Sequence, residues 1–196
     1  MKILLVIAVI MSVVFVVLLV LIWLRKLQFD IVHRNFLEFE DQFGGRVIRG
    51  GFAVRPRFSG VYEGRKLTIS ITFEGGGKHR KYYLAITLQA NSPINFTIMS
   101  TDWLKRREDS SQGRQGVKIA QGKYLLEVTE SQDVNELDLA ELERVVEQLH
   151  PFAYILISRT GIILERLSPD IVQDTKFEVL NKMVAALNEL RRIVEK

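Results

Sequence analysis

The feature that most constrains this chain is an uninterrupted apolar run near its N-terminus. From Ile3 to Leu24 the run has 22 residues, and only Ser12 among them is not plainly apolar. An α-helix of that length extends about 33 Å, at roughly 1.5 Å per residue, which matches the hydrocarbon thickness of a bilayer. The sequence therefore predicts one helix that crosses a membrane.

The residues after the run distinguish a retained anchor from a cleaved signal peptide. A signal peptide has a shorter apolar region, about 7 to 15 residues, and ends in small residues at a cleavage site. Here Trp23 and Leu24 end the run, and Arg25 and Lys26 follow directly. Tryptophan and basic side chains at the end of an apolar helix are typical of a membrane interface. We predict Trp23, Arg25 and Lys26 to be interface residues of a retained single-pass anchor in the cell (inner) membrane.

The basic residues on either side of the anchor bear on its orientation. Lys2 precedes the run, whereas Arg25, Lys26 and Arg34 follow it within about 20 residues, so the positive-inside rule favours a cytoplasmic soluble domain. Short N-termini that begin Met-Lys also occur on helices inserted the opposite way. An exported domain is therefore the open alternative.

Residues 29–196 are numerous enough to form one domain with its own core. Five apolar residues at spacings of three and four predict an amphipathic helix, which Gly44 and Gly45 end: Phe29, Val32, Phe36, Phe39 and Phe43. This helix faces either the domain's own sheet or a membrane surface or partner.

Several short apolar segments predict strands, and those at 67–73 and 84–88 alternate apolar and polar residues with a period of two. They comprise an edge strand at 51–58, a hairpin at 67–73 and 84–88, a strand at 94–98, a strand or bent hairpin at 117–128, and a second hairpin at 153–158 and 162–167. Asp138 is a predicted N-cap of a helix that Pro151 closes, and a last helix begins near Thr175. We predict an α+β fold, in which a transmembrane helix at 1–28 precedes one antiparallel-sheet domain at 29–196, packed with about three helices.

Charge is unevenly distributed along the chain. Residues 44–123 contain fifteen basic and five acidic residues, whereas residues 124–196 contain eight and fourteen. An anionic leaflet attracts each nearby basic side chain by about 1 kcal/mol. Eight basic residues are predicted contacts with an anionic surface or a partner: Arg65, Lys66, Lys78, Arg80, Lys81, Lys105, Arg106 and Arg107. The alternative is a solvated sheet face whose charge the acidic C-terminal third balances.

No motif in the sequence indicates catalysis, a cofactor or a metal. The chain has no cysteine, which excludes a disulfide framework and thiolate chemistry. His33, His79 and His150 lack the spacing of a metal-binding motif, and Gly75 to Gly77 join two predicted strands rather than a strand and a helix. No RNA- or DNA-binding module accompanies the basic segment, so nucleic acid is not a predicted partner.

One short element is the basis of a resemblance. Gly60, Val61, Tyr62, Glu63, Gly64 and Arg65 form a Gly-x-Tyr-x-Gly-Arg turn. Together with the short N-terminus, the anchor, the helix that ends in glycine and the closing amphipathic helix, it resembles a broad group of uncharacterised bacterial single-span membrane proteins. Many of them carry Gly-Asp where this chain has Gly122-Lys123. The resemblance implies an anchored α+β domain and no activity.

Three functional hypotheses remain from the sequence. The first is a membrane-tethered, non-enzymatic interaction or accessory module, a peripheral subunit of a larger membrane complex, with the lipid bilayer and other subunits as partners. The second is a domain that binds a lipid or another hydrophobic ligand. The third is an enzyme of unrecognised type, which requires a pocket with convergent polar groups.

Overall fold

The computed structural model describes residues 2–51, 54–75, 80–106, 116–128 and 138–196. The helices among these residues are α1 (Lys2–Phe43), α2 (Thr101–Arg106), α3 (Leu139–Gln148), α4 (Ile171–Asp174) and α5 (Phe177–Val194). The strands are β1 (Arg46–Ile48), β2 (Arg57–Tyr62), β3 (Arg65–Glu74), β4 (Lys81–Gln89), β5 (Phe96–Ser100), β6 (Val117–Ile119), β7 (Tyr124–Val128), β8 (Tyr154–Ser158) and β9 (Gly161–Ser168).

Helix α1 is continuous from the apolar run into the domain. Its 42 residues include the predicted anchor and the predicted amphipathic helix without a break. Every side chain from Ile3 to Leu24 is exposed, whereas Phe29, Val32 and Phe36 are buried against the domain. This is the one helix of the described residues that is long and apolar enough to cross a membrane. The division between an anchor at 1–28 and a domain at 29–196 stays a prediction, and no helix break marks it.

The strands form one antiparallel sheet of mixed sequence order. From edge to edge the order is β1-β2-β3-β4-β9-β8-β5-β7-β6, so the β8–β9 hairpin lies between β4 and β5. The predicted α+β fold with an antiparallel sheet and an N-terminal apolar helix is therefore confirmed. Both predicted hairpins are present, with Ile69 opposite Ile86 in the first and Ile157 opposite Ile162 in the second.

The edge strand predicted at 51–58 differs from the structure. The strand in this region is β2, which begins at Arg57, after Pro56, and lies between β1 and β3, so it is not an edge strand. It extends to Tyr62 because Glu63 and Gly64 adopt positive φ angles of 46° and 76° and form a tight turn into β3. Phe52 and Ala53 lie outside the described residues.

One face of the sheet holds the core. Leu67, Ile86 and Leu164 are fully buried there beneath α1, α3, α4 and α5. Asp138 caps α3 as predicted, because its carboxylate accepts hydrogen bonds from the backbone N–H groups of Ala140 and Glu141. The short helices α2 and α4 were not predicted, since neither contains enough residues to show a helical period.

The opposite face, called the outer face, carries small polar residues and a partly exposed apolar group. The pleat directs Thr68, Ser70 and Thr72 of β3 to this side. Beside them, four half-exposed apolar side chains occupy neighbouring strands: Leu125, Leu156, Ile163 and Leu167. This face is therefore a mixed surface and not a second core.

Candidate site at the anchor end of the sheet

The strand pairing defines two ends of the sheet. Glu74 pairs with Lys81, and Tyr82 with Ser168, so the ends of β3, β4 and β9 meet on one side. Arg25 of α1 donates a hydrogen bond to the Tyr82 hydroxyl at 3.2 Å on this same side. We call this side of the sheet the anchor end. The far end holds the turn at Glu63 and Gly64 and the opposite ends of the same strands.

The domain begins to cover α1 directly after the apolar run. Leu24 is half exposed, whereas Arg25 is partly buried and Phe29 is 2% exposed. The edge of the Phe29 ring meets the ring of Tyr82, with 6.4 Å between centroids. At about 1.5 Å per residue, the first domain contact lies within one helical turn of the apolar run.

A cleft at the anchor end brings together three arginines. It has a volume of about 220 Å³, and its lining consists of Arg25, Phe29, Arg55, Phe73, Arg80 and Tyr82. The guanidinium carbons of Arg55 and Arg80 lie 4.4 Å and 4.8 Å from the centroid of the Phe73 ring. Stacking on an aromatic ring holds a guanidinium group in place without neutralising its charge.

The charges in this cleft are not balanced by an acid in its lining. No carboxylate contributes to the cleft among the described residues, and the Nε atom of Arg80 is buried there without a hydrogen-bond partner. Asp30, one turn further along α1, is held by Arg49 and Lys26. The hydrogen bond from Arg49 lowers the pKa of Asp30, so this carboxylate stays charged and already paired.

A second, larger cleft lies at the same end, where β5, β7 and α3 meet. It has a volume of about 600 Å³ and its lining is mainly polar. Within it the Tyr124 hydroxyl lies 3.0 Å from Nδ1 of His150, and Lys123 contacts Glu147 at 3.1 Å. Burial, with a smaller contribution from the Glu147 charge, raises the pKa of Tyr124. The described residues contain no group of three or more acidic or histidine side chains that could hold a metal ion.

The predicted basic residues are divided between the two ends. Lys81 begins β4 at the anchor end, Arg80 directly precedes it, and Lys105 is exposed on α2, 3.8 Å from Asp102. The structure describes the backbone of Arg106 in α2 but not its side chain. Lys78 and Arg107 lie outside the described residues.

Arg65 and Lys66 lie at the far end, at the start of β3. Arg65 contacts Glu195 at 3.2 Å, and the same carboxylate accepts from Arg191 at 2.9 Å. Lys66 is exposed. The role of all eight residues as contacts with an anionic surface or a partner stays a prediction.

Sequence reasoning placed Arg25 and Arg80 in separate predicted groups and left Arg55 out of both. The three positions are far apart along the chain and share no spacing. They meet because the β3–β4 hairpin and the segment before β2 both end beside α1. No signal in the sequence alone indicates this meeting.

Comparisons with known proteins identify no family for the chain. No family model matches it, and no curated protein matches its sequence. A solved structure that it partly resembles is the crystal structure of the mycobacterial trehalose monomycolate transport factor A, TtfA, with a TM-score of 0.43 and 10% sequence identity over 81% of this chain and 96% of that chain. Similarity at this level supports no argument about function.

Proposed function

We propose that this protein is a membrane-tethered, non-enzymatic accessory module, which presents its α+β domain to another subunit of a membrane complex. The domain faces the cytoplasm and rests its basic anchor end against the anionic leaflet of the inner membrane. The apolar residues 3–24 stay attached and span the bilayer.

The single observation that carries this proposal is the continuous helix α1. Its first half exposes large apolar side chains throughout, such as Phe15 at 61% and Leu19 at 50%. A soluble monomer rarely exposes so large an apolar surface, whereas lipid covers it at no cost. Its second half is part of the core, where Phe36 and Phe39 are fully buried. A helix whose first half spans a bilayer and whose second half packs in the core would hold the domain close to the lipid.

The outer face of the sheet is the surface we expect the partner to contact. Leu156 and Ile163 are opposite each other on β8 and β9 and remain partly exposed. On the other side of the sheet, α5 presents charged residues such as Glu178 and Lys182 to solvent. Apolar groups at the centre of a partly polar surface are typical of protein interfaces.

Site-specific photocrosslinking in native membranes tests the proposal. A photoreactive residue at Leu156 or Thr87, both on the outer face, should capture one defined membrane protein. The same residue at Glu178 or Lys182 serves as the matched control and should capture it much less. A detergent-extracted protein that is monomeric, with no crosslinked neighbour at any of the four positions, would contradict the proposal.

The absence of cysteine from the sequence makes the orientation directly measurable. Lys182→Cys on exposed α5 should react with a membrane-impermeant maleimide only after the inner membrane is opened. Labelling in intact spheroplasts would instead show an exported domain. Loss of the chain from the membrane fraction after a high-salt wash would exclude tethering altogether.

A further inference from the structure

We infer that the cleft between Arg25, Arg55 and Arg80 is a binding site for the phosphate of an anionic phospholipid headgroup. The inference rests on the proposed tethering, because the ligand is a component of the membrane that α1 crosses. It assigns a specific ligand site, in addition to the general attraction between a basic surface and an anionic leaflet.

The cleft has a concentration of positive charge. Three guanidinium groups converge on one small cleft whose described lining contains no acid, while the nearby Asp30 is occupied by Arg49 and Lys26. Like charges at close range repel each other, and partial burial strengthens that repulsion. A bound anion removes this cost. The buried, unpartnered Nε of Arg80 is a donor that such an anion can satisfy.

The geometry of the arginine side chains also suits a phosphate group. Guanidinium groups recognise phosphate oxygens through paired, parallel hydrogen bonds, and their planes are held best when one face stacks on an aromatic ring. Arg55 and Arg80 both stack on Phe73, and a guanidinium group stacked on a ring can still donate hydrogen bonds to an anion through its edge. Arg25 is oriented by its hydrogen bond to Tyr82. The cleft is therefore formed before a ligand arrives.

The position of the cleft along α1, just after the apolar run, also fits a lipid phosphate. Arg25 is the first residue after the apolar run, and Arg25 to Phe29 advance about 6 Å along the helix axis. The polar headgroup layer of one leaflet has a thickness of about 5 to 7 Å outside the hydrocarbon. The cleft thus lies at the level of lipid phosphates when residues 3–24 span the bilayer. A free phosphate ion has no such reason to bind at this level.

Native mass spectrometry of the full-length chain tests the site. The chain is released from nanodiscs of phosphatidylcholine, with or without phosphatidylglycerol. We expect one phosphatidylglycerol to stay bound to each wild-type chain. The Arg55→Gln, Arg80→Gln double variant should lower the apparent affinity for phosphatidylglycerol roughly thirtyfold. Each basic group near an anionic lipid raises the affinity about five- to sixfold, and the variant removes two. Arg25 is left intact because it also flanks the anchor.

The matched control is Arg46→Gln, Lys66→Gln, which removes the same charge from two exposed residues away from the cleft. This control should retain the lipid. Equal loss in both double variants would show attraction without a site and would overturn the inference. Arg55→Lys, Arg80→Lys keeps both charges but loses the planar fork, and we expect weaker binding. Should the glutamine variant fail to fold, unchanged binding in this lysine variant would overturn the inference.

Inorganic phosphate and glycerol 3-phosphate distinguish the source of the phosphate group. Neither should displace the bound phosphatidylglycerol, and binding of either with equal affinity would identify a site for a soluble anion. A salt-washed membrane pellet separates this outcome from failure of the proposed function. A chain that stays in the pellet without a bound lipid contradicts the lipid site alone, whereas a chain in the supernatant contradicts the tethering.

Discussion

The two ends of the sheet use arginine in opposite ways. At the far end, Arg65 and Arg191 share the Glu195 carboxylate, and Arg192 contacts Glu63 at 2.8 Å. At the anchor end, the cleft that contains Arg55 and Arg80 has no acid in its described lining. Arg65, Arg191 and Arg192 at the far end thus have carboxylate partners within the chain, whereas the arginines of the cleft have none in its described lining.

This difference shows why the basic composition of residues 44–123 does not by itself locate a binding surface. Arg65 and Arg80 belong to the same predicted basic group, but the acidic C-terminus neutralises only the first. An arginine with a carboxylate partner stabilises the fold. An arginine stacked on a ring and directed at a cleft is available to a ligand.

Replacement of Phe39 by alanine should have the largest effect. Phe39 is fully buried and its ring contacts Phe43, Phe58 and Phe177, so it joins α1 to β2 and α5. We expect the free energy of unfolding of the detergent-solubilised chain to fall by about 3 to 5 kcal/mol. Urea titration followed by near-UV circular dichroism measures the change.

Ile31→Ala is the control for Phe39→Ala, because Ile31 lies on the same helix and is 41% exposed. Its effect should stay within about 0.5 kcal/mol. Equal effects of the two substitutions would show that α1 is not part of the domain's cooperative core.

Replacement of Glu195 by alanine should destabilise the far end by about 2 kcal/mol, since it removes charge-assisted hydrogen bonds from Arg65 and Arg191. The Arg55→Gln, Arg80→Gln variant should lose less than about 1 kcal/mol, because relief of the repulsion between the arginines offsets part of the lost stacking on Phe73. Thermal unfolding of both variants compares the two ends directly. A larger loss from the cleft variant would mean that its arginines act in stability and not in binding.

Tyr124→Phe should cost about 1 kcal/mol, since it removes the hydroxyl that meets His150 inside the second cleft. Tyr62→Phe at the far end is the matched substitution, because the Tyr62 hydroxyl has no hydrogen bond to the described residues. It should change stability by less than about 0.5 kcal/mol. Similar values for the two tyrosines in urea titrations would show that the contact with His150 contributes nothing.

The smallest expected effect is a change in how the stability of the fold depends on acidic pH. The hydrogen bond from Asn188, and then that from Arg192, lower the pKa of Glu63 in the folded chain. Its contribution to stability is therefore complete above the unfolded pKa of about 4.3 and is lost as the pH falls through the lower folded value. Glu63→Gln should flatten the slope of stability against pH in this range. An unchanged slope would assign the acid sensitivity to other carboxylates, such as Asp30.

The elements were more predictable than their arrangement. Apolar segments on either side of Arg159 to Gly161 predicted β8 and β9, and a period of two predicted β3 and β4, where apolar residues alternate with polar ones. It contains no information about lateral order, so the position of the β8–β9 hairpin between β4 and β5 could not be predicted. That order depends on which core faces fit together under the helices.

The site was less predictable than the fold. Trp23 and Arg25 were predicted as membrane-interface residues because an anchor has a local signature at its end, and their role stays a prediction. Arg55 gave no signal, because its importance arises from its stacking on Phe73 and from a cleft that three distant segments form together. The continuity of α1 was not predicted either. The apolar run and the amphipathic stripe are two different sequence patterns, but both belong to one unbroken helix.

The unbroken α1 has a mechanical consequence. A spanning helix that is too long for its bilayer relieves the mismatch by tilting. Since Phe29 to Phe39 clamp the domain onto the same rigid rod, the domain must lean by the same angle. If residues 3–24 span a bilayer, a change in its thickness would therefore change the inclination of the whole domain to the lipid surface.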